Sequence, residues 1–329
     1  MAELDKITNV ALLQALLDAQ SSGKARPINV AEMAAALNER VKGQEHVTED
    51  LARFIKQQWA KEARKRPVAN LLFVGPTGTG KTELAKAMAQ YLYKDEKNML
   101  QYDCGNLKQP ESIVRLVGPP PGYRGADKGG ELTRAVLNNP KRLILFDEIE
   151  KAHTQILDIF LAMMGDGRLE DQSSGKVADF TQAIIILTSN EGADAITKLQ
   201  QQISDPHELE NAVKGELVAG GKFRQEIAGR IDKVFVFKEL EGMVRAKILA
   251  QKMENLARSY GLELAYVDAH LLLNAMNASD KMRQFGVRAM EGVIGDMLSD
   301  GFIQAKEAGY KRVHLDFEED GGLAITPVE

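Results

Sequence analysis

Five short, largely apolar runs alternate with longer segments of helical periodicity across the middle of the chain. The runs are Leu71–Val74, Met99–Asp103, Leu143–Phe146, Ile184–Leu187 and Val234–Phe237. Short apolar runs separated by helix-length segments are typical of strands that are buried on both faces of a parallel sheet. The pattern therefore predicts a three-layer α/β fold, in which helices cover both faces of a five-stranded parallel sheet.

Helical periodicity dominates on both sides of this region. It predicts a helix over residues 3–20, a joint at 21–27, and one helical stretch from Val30 to about Arg66. After Lys238 we expect helices near 244–256, 267–278 and 287–308, and then a strand pair at 313–317 and 323–325 around a turn at 320–322. We therefore expect an N-terminal helix and linker (1–35), a large α/β domain (36–238) and a smaller, mainly helical C-terminal lid domain (239–329).

Composition and charge narrow the class of protein. The chain has 329 residues, a formal net charge of −5 and one cysteine, Cys104. One cysteine excludes an internal disulfide framework and is typical of a reducing compartment. The apolar runs are far shorter than the ~20 residues that cross a bilayer, and the N-terminus has no secretory signal pattern. We therefore expect a cytoplasmic protein with no membrane partner. The absence of a basic excess also disfavours a protein that coats nucleic acid.

A glycine-rich segment follows the first apolar run and matches the pattern G-x-x-x-x-G-K-[ST]. It comprises Gly75, Pro76, Thr77, Gly78, Thr79, Gly80, Lys81 and Thr82. Its glycines allow backbone N–H groups to turn towards a phosphate chain, and the following helix N-terminus adds partial positive charge. Lys81 can reach the terminal phosphates, and the Thr82 hydroxyl can ligate Mg²⁺. The segment predicts a site for a nucleoside triphosphate.

The apolar run Leu143–Phe146 ends in two carboxylates, Asp147 and Glu148. Phosphoryl transfer needs positioned charge and an oriented nucleophile, so the first carboxylate suits a magnesium shell and the second suits polarisation of a water. Adjacent acids can also cap a strand end, but the phosphate loop earlier in the chain favours the catalytic interpretation. Together the motifs predict Mg²⁺-dependent ATP hydrolysis, with Thr82 and Asp147 as metal ligands.

Further segments resemble the Clp family of AAA+ unfoldases and disaggregases, in particular the C-terminal ATPase module of ClpA and ClpB. They are Val117–Gly125, Gly129–Thr133, Asp147–His153, Gly165–Leu169 and Leu187–Asn190, and the similarity extends from about Leu37 to the C-terminus. Several such matches in one chain rarely arise by chance. The resemblance implies a P-loop AAA+ fold, and we expect a stand-alone motor module.

The resemblance also implies roles for individual residues. Asn190 occupies the position of an amide that helps to hold the attacking water, although it could instead cap a strand end. Arg230 occupies the position of an arginine that reaches the nucleotide of a neighbouring subunit. Arg224 is the alternative candidate for this role, and Arg230 could instead form a surface salt bridge with no catalytic role. Arg288 matches an arginine of the small domain that contacts the phosphates. Val41, Lys42 and Ile248 complete the predicted nucleotide-binding residues.

Tyr123 and Arg124 lie between glycines, after three consecutive prolines. In the family, the equivalent tyrosine lines the central channel of a hexamer and pulls polypeptide through it. The resemblance implies the same role for Tyr123, with Arg124 adding positive charge to the channel. The alternative is a partly buried tyrosine that anchors the loop. A second polar loop, 170–176, is expected to line the channel lower down.

We therefore expect a homohexamer that remodels or unfolds protein substrates, with an adaptor as a further possible partner. A ClpP-type peptidase is not expected, because residues 191–222 lack the short Gly-Phe or Gly-Leu loop of its partners. The alternative function is an ATP-dependent assembly switch or loader that acts on a DNA-bound or other macromolecular complex. Its candidate contact is the basic cluster Arg64–Arg66, which is better explained as cations at a helix C-terminus.

Overall fold

The computed structural model describes residues 27–123, 125–221, 223–280, 287–317 and 323–328. The predicted helix over 3–20, Arg124 and the predicted turn at 320–322 lie outside this range. The chain divides into two compact units, and each is described by itself. The large unit contains the described residues up to Val74 and Lys81–Phe237, and the small unit contains Gly75–Gly80 and the described residues from Lys238 onward.

The large unit alternates strands and helices. Its strands are β1 (Ala69–Val74), β2 (Met99–Asp103), β3 (Leu143–Asp147), β4 (Arg168–Glu170), β5 (Val177–Asp179), β6 (Ile184–Ser189) and β7 (Lys233–Val236). Its α-helices are Val30–Arg40, Glu45–Trp59, Lys81–Tyr93, Ser112–Val117, Glu131–Asn138, Thr154–Gly165, Ala193–Gln202, Pro206–Ala219 and Gln225–Arg230. Short 3₁₀ turns cover Glu96–Asn98, Cys104–Asn106 and Ile149–Lys151.

Five of these strands form one sheet in the order β2-β3-β6-β1-β7. All of its pairs are parallel, which confirms the predicted fold class. Alternate residues of β1 enter different cores: Leu72 and Val74 pack in one apolar cluster, and Leu71 and Phe73 pack in the other. Since helices cover both faces, the interior strands β1, β3 and β6 are almost wholly buried, and this explains why they read as continuous apolar runs, whereas the edge strand β2 is only partly buried.

The strand register places the carboxyl ends of neighbouring strands at the same edge of the sheet. β1 pairs with β6 so that Val74 lies opposite Ser189, and β3 pairs with β6 so that Phe146 lies opposite Leu187. The carboxyl ends of β1, β3 and β6 therefore meet at the same edge of the sheet. Ligands of open α/β sheets bind at this edge.

The prediction of one helical stretch from Val30 to Arg66 is wrong. The first helix ends at Arg40, and the second runs from Glu45 to Trp59. Gly43 lies between them with a φ of 77°, a left-handed conformation that interrupts a right-handed helix. The side chain of Arg64 donates to the carbonyl oxygens of Gln58 and Trp59, so it satisfies the end of the second helix.

The hairpin formed by β4 and β5 was also missed. It is antiparallel, with Leu169 opposite Ala178, and its connection lies within the segment 170–176 that the sequence predicted as a polar loop. Its strands have three residues each, too few for an alternating pattern to identify them.

The small unit has three α-helices, Gly242–Ser259, Ala269–Asp280 and Val287–Glu307, among its described residues. The predicted strand pair is present as β9 (Arg312–Phe317) and β10 (Leu323–Pro327), which pair antiparallel. A further strand, β8 (Glu263–Val267), pairs parallel with β9, so the prediction that strands end at Lys238 apart from this pair is wrong. No helix in the described part of the chain is long and apolar enough to cross a membrane.

Candidate functional site

Asp147 ends β3 and is held by hydroxyl groups from two other elements. Thr82 Oγ1, in the first turn of the helix Lys81–Tyr93, donates to Asp147 Oδ2 at 3.0 Å. Thr188 Oγ1, on the neighbouring strand β6, donates to Asp147 Oδ1 at 2.5 Å. A carboxylate and a hydroxyl oxygen at this spacing are hard oxygen ligands of the kind that Mg²⁺ binds. The structure thus brings together the two residues that the sequence predicts as metal ligands.

Glu148 follows in a left-handed backbone conformation, with φ 56° and ψ 57°. Such a conformation costs a non-glycine residue about 1–2 kcal/mol and occurs most often where function requires it. The backbone N–H of Glu148 donates to Thr188 Oγ1 at 2.9 Å, which helps to fix this turn. The strained turn sets the direction in which the carboxylate leaves the sheet edge.

The Glu148 carboxylate meets two side chains. Asn190 Nδ2 donates to Oε1 at 3.0 Å, and Lys151 Nζ lies 2.5 Å from Oε2. Asn190 directly follows β6, so neighbouring strands bring together two residues that are 42 positions apart. Lys151 was not predicted. The partner carboxylate raises its pKa, so it remains a cation beside Glu148.

Glu150 is a further site residue that sequence reasoning missed. Its Oε1 accepts a hydrogen bond from the backbone N–H of Asn190 at 3.1 Å. Its other oxygen, Oε2, and Asn190 Oδ1 are both buried and have no hydrogen-bond partner in the described residues. Unpaired buried oxygens are costly and are expected where a polar ligand completes the site. The only signal in the sequence was a third acid two positions after Glu148.

Lys81 is a buried cation among these acids. Its side chain is 7% exposed, and burial lowers its pKa to about 8, while the charges of Asp147, Glu150 and Glu148 oppose the shift. Lys81 begins the helix Lys81–Tyr93, at the end where a helix favours anions. A site with a buried ammonium group, an unpaired carboxylate oxygen and a cation-binding acid suits a phosphate–metal ligand.

The loop Gly75–Gly80 has a backbone that depends on its glycines. Gly75, Gly78 and Gly80 have φ values of 137°, 80° and 100°, which side-chain-bearing residues rarely adopt. Thr79 is buried and its hydroxyl donates to the Pro76 carbonyl at 2.9 Å, which closes the loop on itself. Glycine-rich turns of this kind form anion-binding nests from backbone N–H groups.

The two candidate arginines differ in their surroundings. Arg224 is bound within its own chain, with Nη1 2.6 Å from Asp158 Oδ1 and Nη2 3.2 Å from the Thr154 carbonyl. Arg230 ends the helix Gln225–Arg230, and its side chain is exposed. Its backbone carbonyl accepts from Arg66 Nη2 at 2.9 Å. The geometry therefore favours Arg230 over Arg224 as the arginine available to another molecule.

Tyr123 has a side chain that is 69% exposed. Its backbone makes turn hydrogen bonds, from its N–H to the Pro120 carbonyl and from Ala126 N–H to its own carbonyl. The exposure disfavours the alternative of a tyrosine buried as an anchor. Arg124 lies outside the described residues.

The remaining predicted residues are placed here within their own units. Val41 is 3% exposed and packs in the apolar core on one face of the sheet. Lys42 Nζ donates to the Asn38 carbonyl at 2.8 Å. Ile248 is half-buried on the helix Gly242–Ser259 of the small unit, and Arg288 lies near the start of the helix Val287–Glu307.

Arg64 and Arg66, of the basic cluster, are engaged within the chain. Arg64 binds the end of the helix Glu45–Trp59, and Arg66 Nε donates to the Met164 carbonyl at 3.2 Å. The helix-end interpretation of the cluster therefore has structural support.

Comparison of the sequence with known proteins gives one matching family model and a set of curated relatives. Residues 66–234 match the family model described as AAA domain (Cdc48 subfamily). The chain is 37% identical over 279 residues to the chaperone protein ClpB of Dichelobacter nodosus, an alignment that covers 84% of this chain and 32% of that protein. It is 34% identical over 308 residues to the negative regulator of genetic competence ClpC/MecB of Bacillus subtilis, with 89% of this chain and 37% of that protein covered.

The parallel sheet, the glycine-rich loop and the acids that end β3 define a P-loop ATPase. The chain belongs to the AAA domain family and is a Clp-type AAA+ ATPase module. It spans about a third of the length of the curated relatives that it matches.

Proposed function

We propose that this ATPase module remodels or unfolds protein substrates, which it draws past the Tyr123 loop in a hexameric ring. The observation that carries the proposal is the exposure of Tyr123, 69%, on a loop whose ends lie in the large unit. An exposed aromatic ring can grip apolar and backbone surface of a polypeptide. Relatives named as the chaperone ClpB support a protein substrate.

The site residues have complementary roles in this proposal. Lys81 and the backbone of the loop Gly75–Gly80 bind the phosphates of ATP, and Thr82 and Asp147 hold Mg²⁺. Bound Mg²⁺ supplies positive charge to the phosphate oxygens. Glu148, hydrogen-bonded to Asn190 Nδ2 at 3.0 Å, accepts a proton from the water that Asn190 helps to orient.

Lys151 adds a control to this arrangement, since its ammonium group lies 2.5 Å from Glu148 Oε2. The ion pair occupies Glu148 Oε2, so this oxygen can accept a proton from water only when Lys151 moves away. Arg230 is proposed to reach the nucleotide of a neighbouring subunit, which is supported by its exposed side chain and by the ion pair that occupies Arg224. Assembly of the module then becomes a condition for hydrolysis.

Glu148→Gln tests the catalytic part of the proposal. The amide keeps the shape of the side chain but cannot accept a proton, so ATP binding and assembly are expected to persist while hydrolysis falls by about 10²–10⁴-fold. Nucleotide binding is measured by calorimetry, oligomer size by light scattering and hydrolysis by phosphate release. Glu111→Gln, at an exposed acid outside the site, is the matched control.

Tyr123→Ala tests the substrate part. Hydrolysis is expected to continue, while unfolding of a fluorescent reporter protein with an unstructured tail is lost. Tyr123→Phe keeps the aromatic ring and is expected to retain unfolding. If Tyr123→Ala unfolds the reporter as fast as the parent protein does, the gripping role is wrong.

A further inference from the structure

The loop that carries Tyr123 is closed at its base by two glycines. We define the described residues of this segment, Gly118–Tyr123 and Gly125–Gly130, as the tyrosine loop. A Cβ atom added to Gly118, which has a φ of +86°, would lie 2.8 Å from the backbone nitrogen of Gly130. A Cβ added to Gly130 would lie 2.3 Å from the Leu116 carbonyl oxygen. The two ends of the loop are thus in close backbone contact, and the exposed ring of Tyr123 lies between them in sequence.

A single buried carboxylate joins this base to the β4–β5 hairpin. Asp171 follows β4 and is 0% exposed. Its Oδ2 accepts from the backbone N–H of Gly130 at 2.9 Å and from Thr133 Oγ1 at 2.6 Å. Its Oδ1 accepts from the backbone N–H and the hydroxyl of Ser174, at 2.9 Å and 2.8 Å. One oxygen therefore binds the end of the tyrosine loop, and the other binds the hairpin turn.

Two further hydrogen bonds connect the same segments. We define Asp171–Gly175 as the hairpin turn. Gln172 N–H donates to the Val117 carbonyl at 2.8 Å, next to the start of the tyrosine loop. Ser173 Oγ donates to the Pro119 carbonyl at 2.7 Å. The turn is therefore attached to both ends of the tyrosine loop.

We propose that Asp171 is a positioning residue that couples the tyrosine loop and the hairpin turn into one rigid body. Burial acts to raise the pKa of its carboxyl group, but the hydrogen bonds from Thr133, Gly130 and Ser174 outweigh this effect and hold the pKa below its usual range. The group is thus ionised, and its hydrogen bonds are charge-assisted. Any effect of this coupling on how Tyr123 grips a substrate rests on the proposed function, whereas the coupling of the two segments does not.

The arrangement distinguishes a carboxylate from its closest substitute. Asp171→Asn replaces one acceptor oxygen with a donor NH₂ group. Whichever way the amide turns, this group faces a backbone N–H donor, that of Gly130 or that of Ser174. One of the two segments therefore loses its attachment, although the size of the side chain is unchanged.

The test follows amide hydrogen exchange of the tyrosine loop by mass spectrometry in the full chain. Asp171→Asn is expected to speed exchange across 118–130 by roughly tenfold or more, with no change in basal ATP hydrolysis. Glu170→Gln, at the exposed neighbour of Asp171, is the matched control and is expected to leave exchange unchanged. Thr133→Val should speed exchange, and Thr133→Ser, which retains the hydroxyl, should restore it.

A second measurement follows the tip of the loop. Tyr123→Trp in a Trp59→Phe background gives the chain a single indole, because Trp59 is its one tryptophan. Asp171→Asn is expected to lower the fluorescence anisotropy of this indole, whereas Glu170→Gln is not.

The coupling is overturned if Asp171→Asn leaves exchange in 118–130 and the anisotropy as they are in Glu170→Gln. It is also overturned if exchange rises by the same factor in the central strands β1 and β6, because the variant has then only lost global stability. Neither measurement requires a substrate, so failure of the gripping role in Tyr123→Ala is separate from failure of this coupling.

Discussion

Asn70 offers a stringent test of how β1 is fixed to the helix that ends at Arg230. It lies on β1 and is fully buried. Its Nδ2 donates to the carbonyl oxygens of Met164 at 3.0 Å and Arg230 at 3.1 Å, and so connects β1 to the ends of two helices. Asn70→Ala removes both hydrogen bonds.

The expected loss in the free energy of unfolding depends on the hydrogen bonds that the two carbonyl oxygens keep in the variant. A hydrogen bond contributes a net ~0.5–1.5 kcal/mol, so two of them contribute about 1–3 kcal/mol. Arg66 also donates to both carbonyl oxygens, so neither is left unpaired. The substitution also removes Asn70 Oδ1, a buried oxygen that has no hydrogen-bond partner among the described residues. Both effects reduce the loss, and we expect about 1–2 kcal/mol in the free energy of unfolding.

The assay is urea unfolding followed by the fluorescence of Trp59, which reports on the large unit. Asn106→Ala, at an exposed asparagine, is the control and is expected to change stability by less than about 0.5 kcal/mol. In Arg66→Ala combined with Asn70→Ala, both carbonyl groups lose these side-chain donors, so the double variant should lose about 0.5–3 kcal/mol more than the sum of the single ones. Additive losses, or a loss in Asn70→Ala no larger than that of the control, would refute the reasoning.

Two further predictions follow from burial and backbone geometry. Cys104 is fully buried, and burial, together with the charges of Asp147 and Asp103, raises the pKa of its thiol. The native protein should therefore react with a thiol reagent at least about a hundredfold more slowly than the denatured protein. Similar rates in the two states would contradict this prediction. Gly130→Ala should lower the free energy of unfolding by about 1–3 kcal/mol in the Trp59 assay, because the added Cβ would meet backbone atoms. Gly229→Ala is the control: its added Cβ would lie in open space on a helix, so it should leave stability unchanged or raise it. Equal effects would show that the base of the tyrosine loop is not tightly packed.

Much of the large unit was predictable because the interior strands of its sheet, β1, β3 and β6, are buried on both faces. Each predicted run, such as Leu143–Phe146, lies within or overlaps a strand of the parallel sheet. The pattern failed where burial does not produce a regular repeat. β8 carries half-buried and exposed residues rather than an apolar run, and the break at Gly43 depends on one left-handed residue. Local periodicity contains no information about such positions.

The site was predictable as motifs but not as a network of contacts. The sequence indicated Thr82, Asp147, Glu148 and Asn190, because each lies in a recognisable segment. Thr188 was not assigned a role, although its hydroxyl contacts both Asp147 and the backbone of Glu148. Its position on a neighbouring strand, 41 residues from Asp147, has no local signature.

The sequence alone determined the class of this protein: the apolar runs specify a buried parallel sheet, and the glycine-rich loop and paired acids specify phosphate chemistry. Only the tertiary structure decided which side chains meet. Strand order and register place Asp147 beside Thr188 and Glu148 beside Asn190, and the chain's return through β4 and β5 places Asp171 against Gly130. The physical reason is that periodicity and motifs reflect interactions between near neighbours in the chain, whereas these hydrogen bonds join residues that only folding brings within 3 Å of one another.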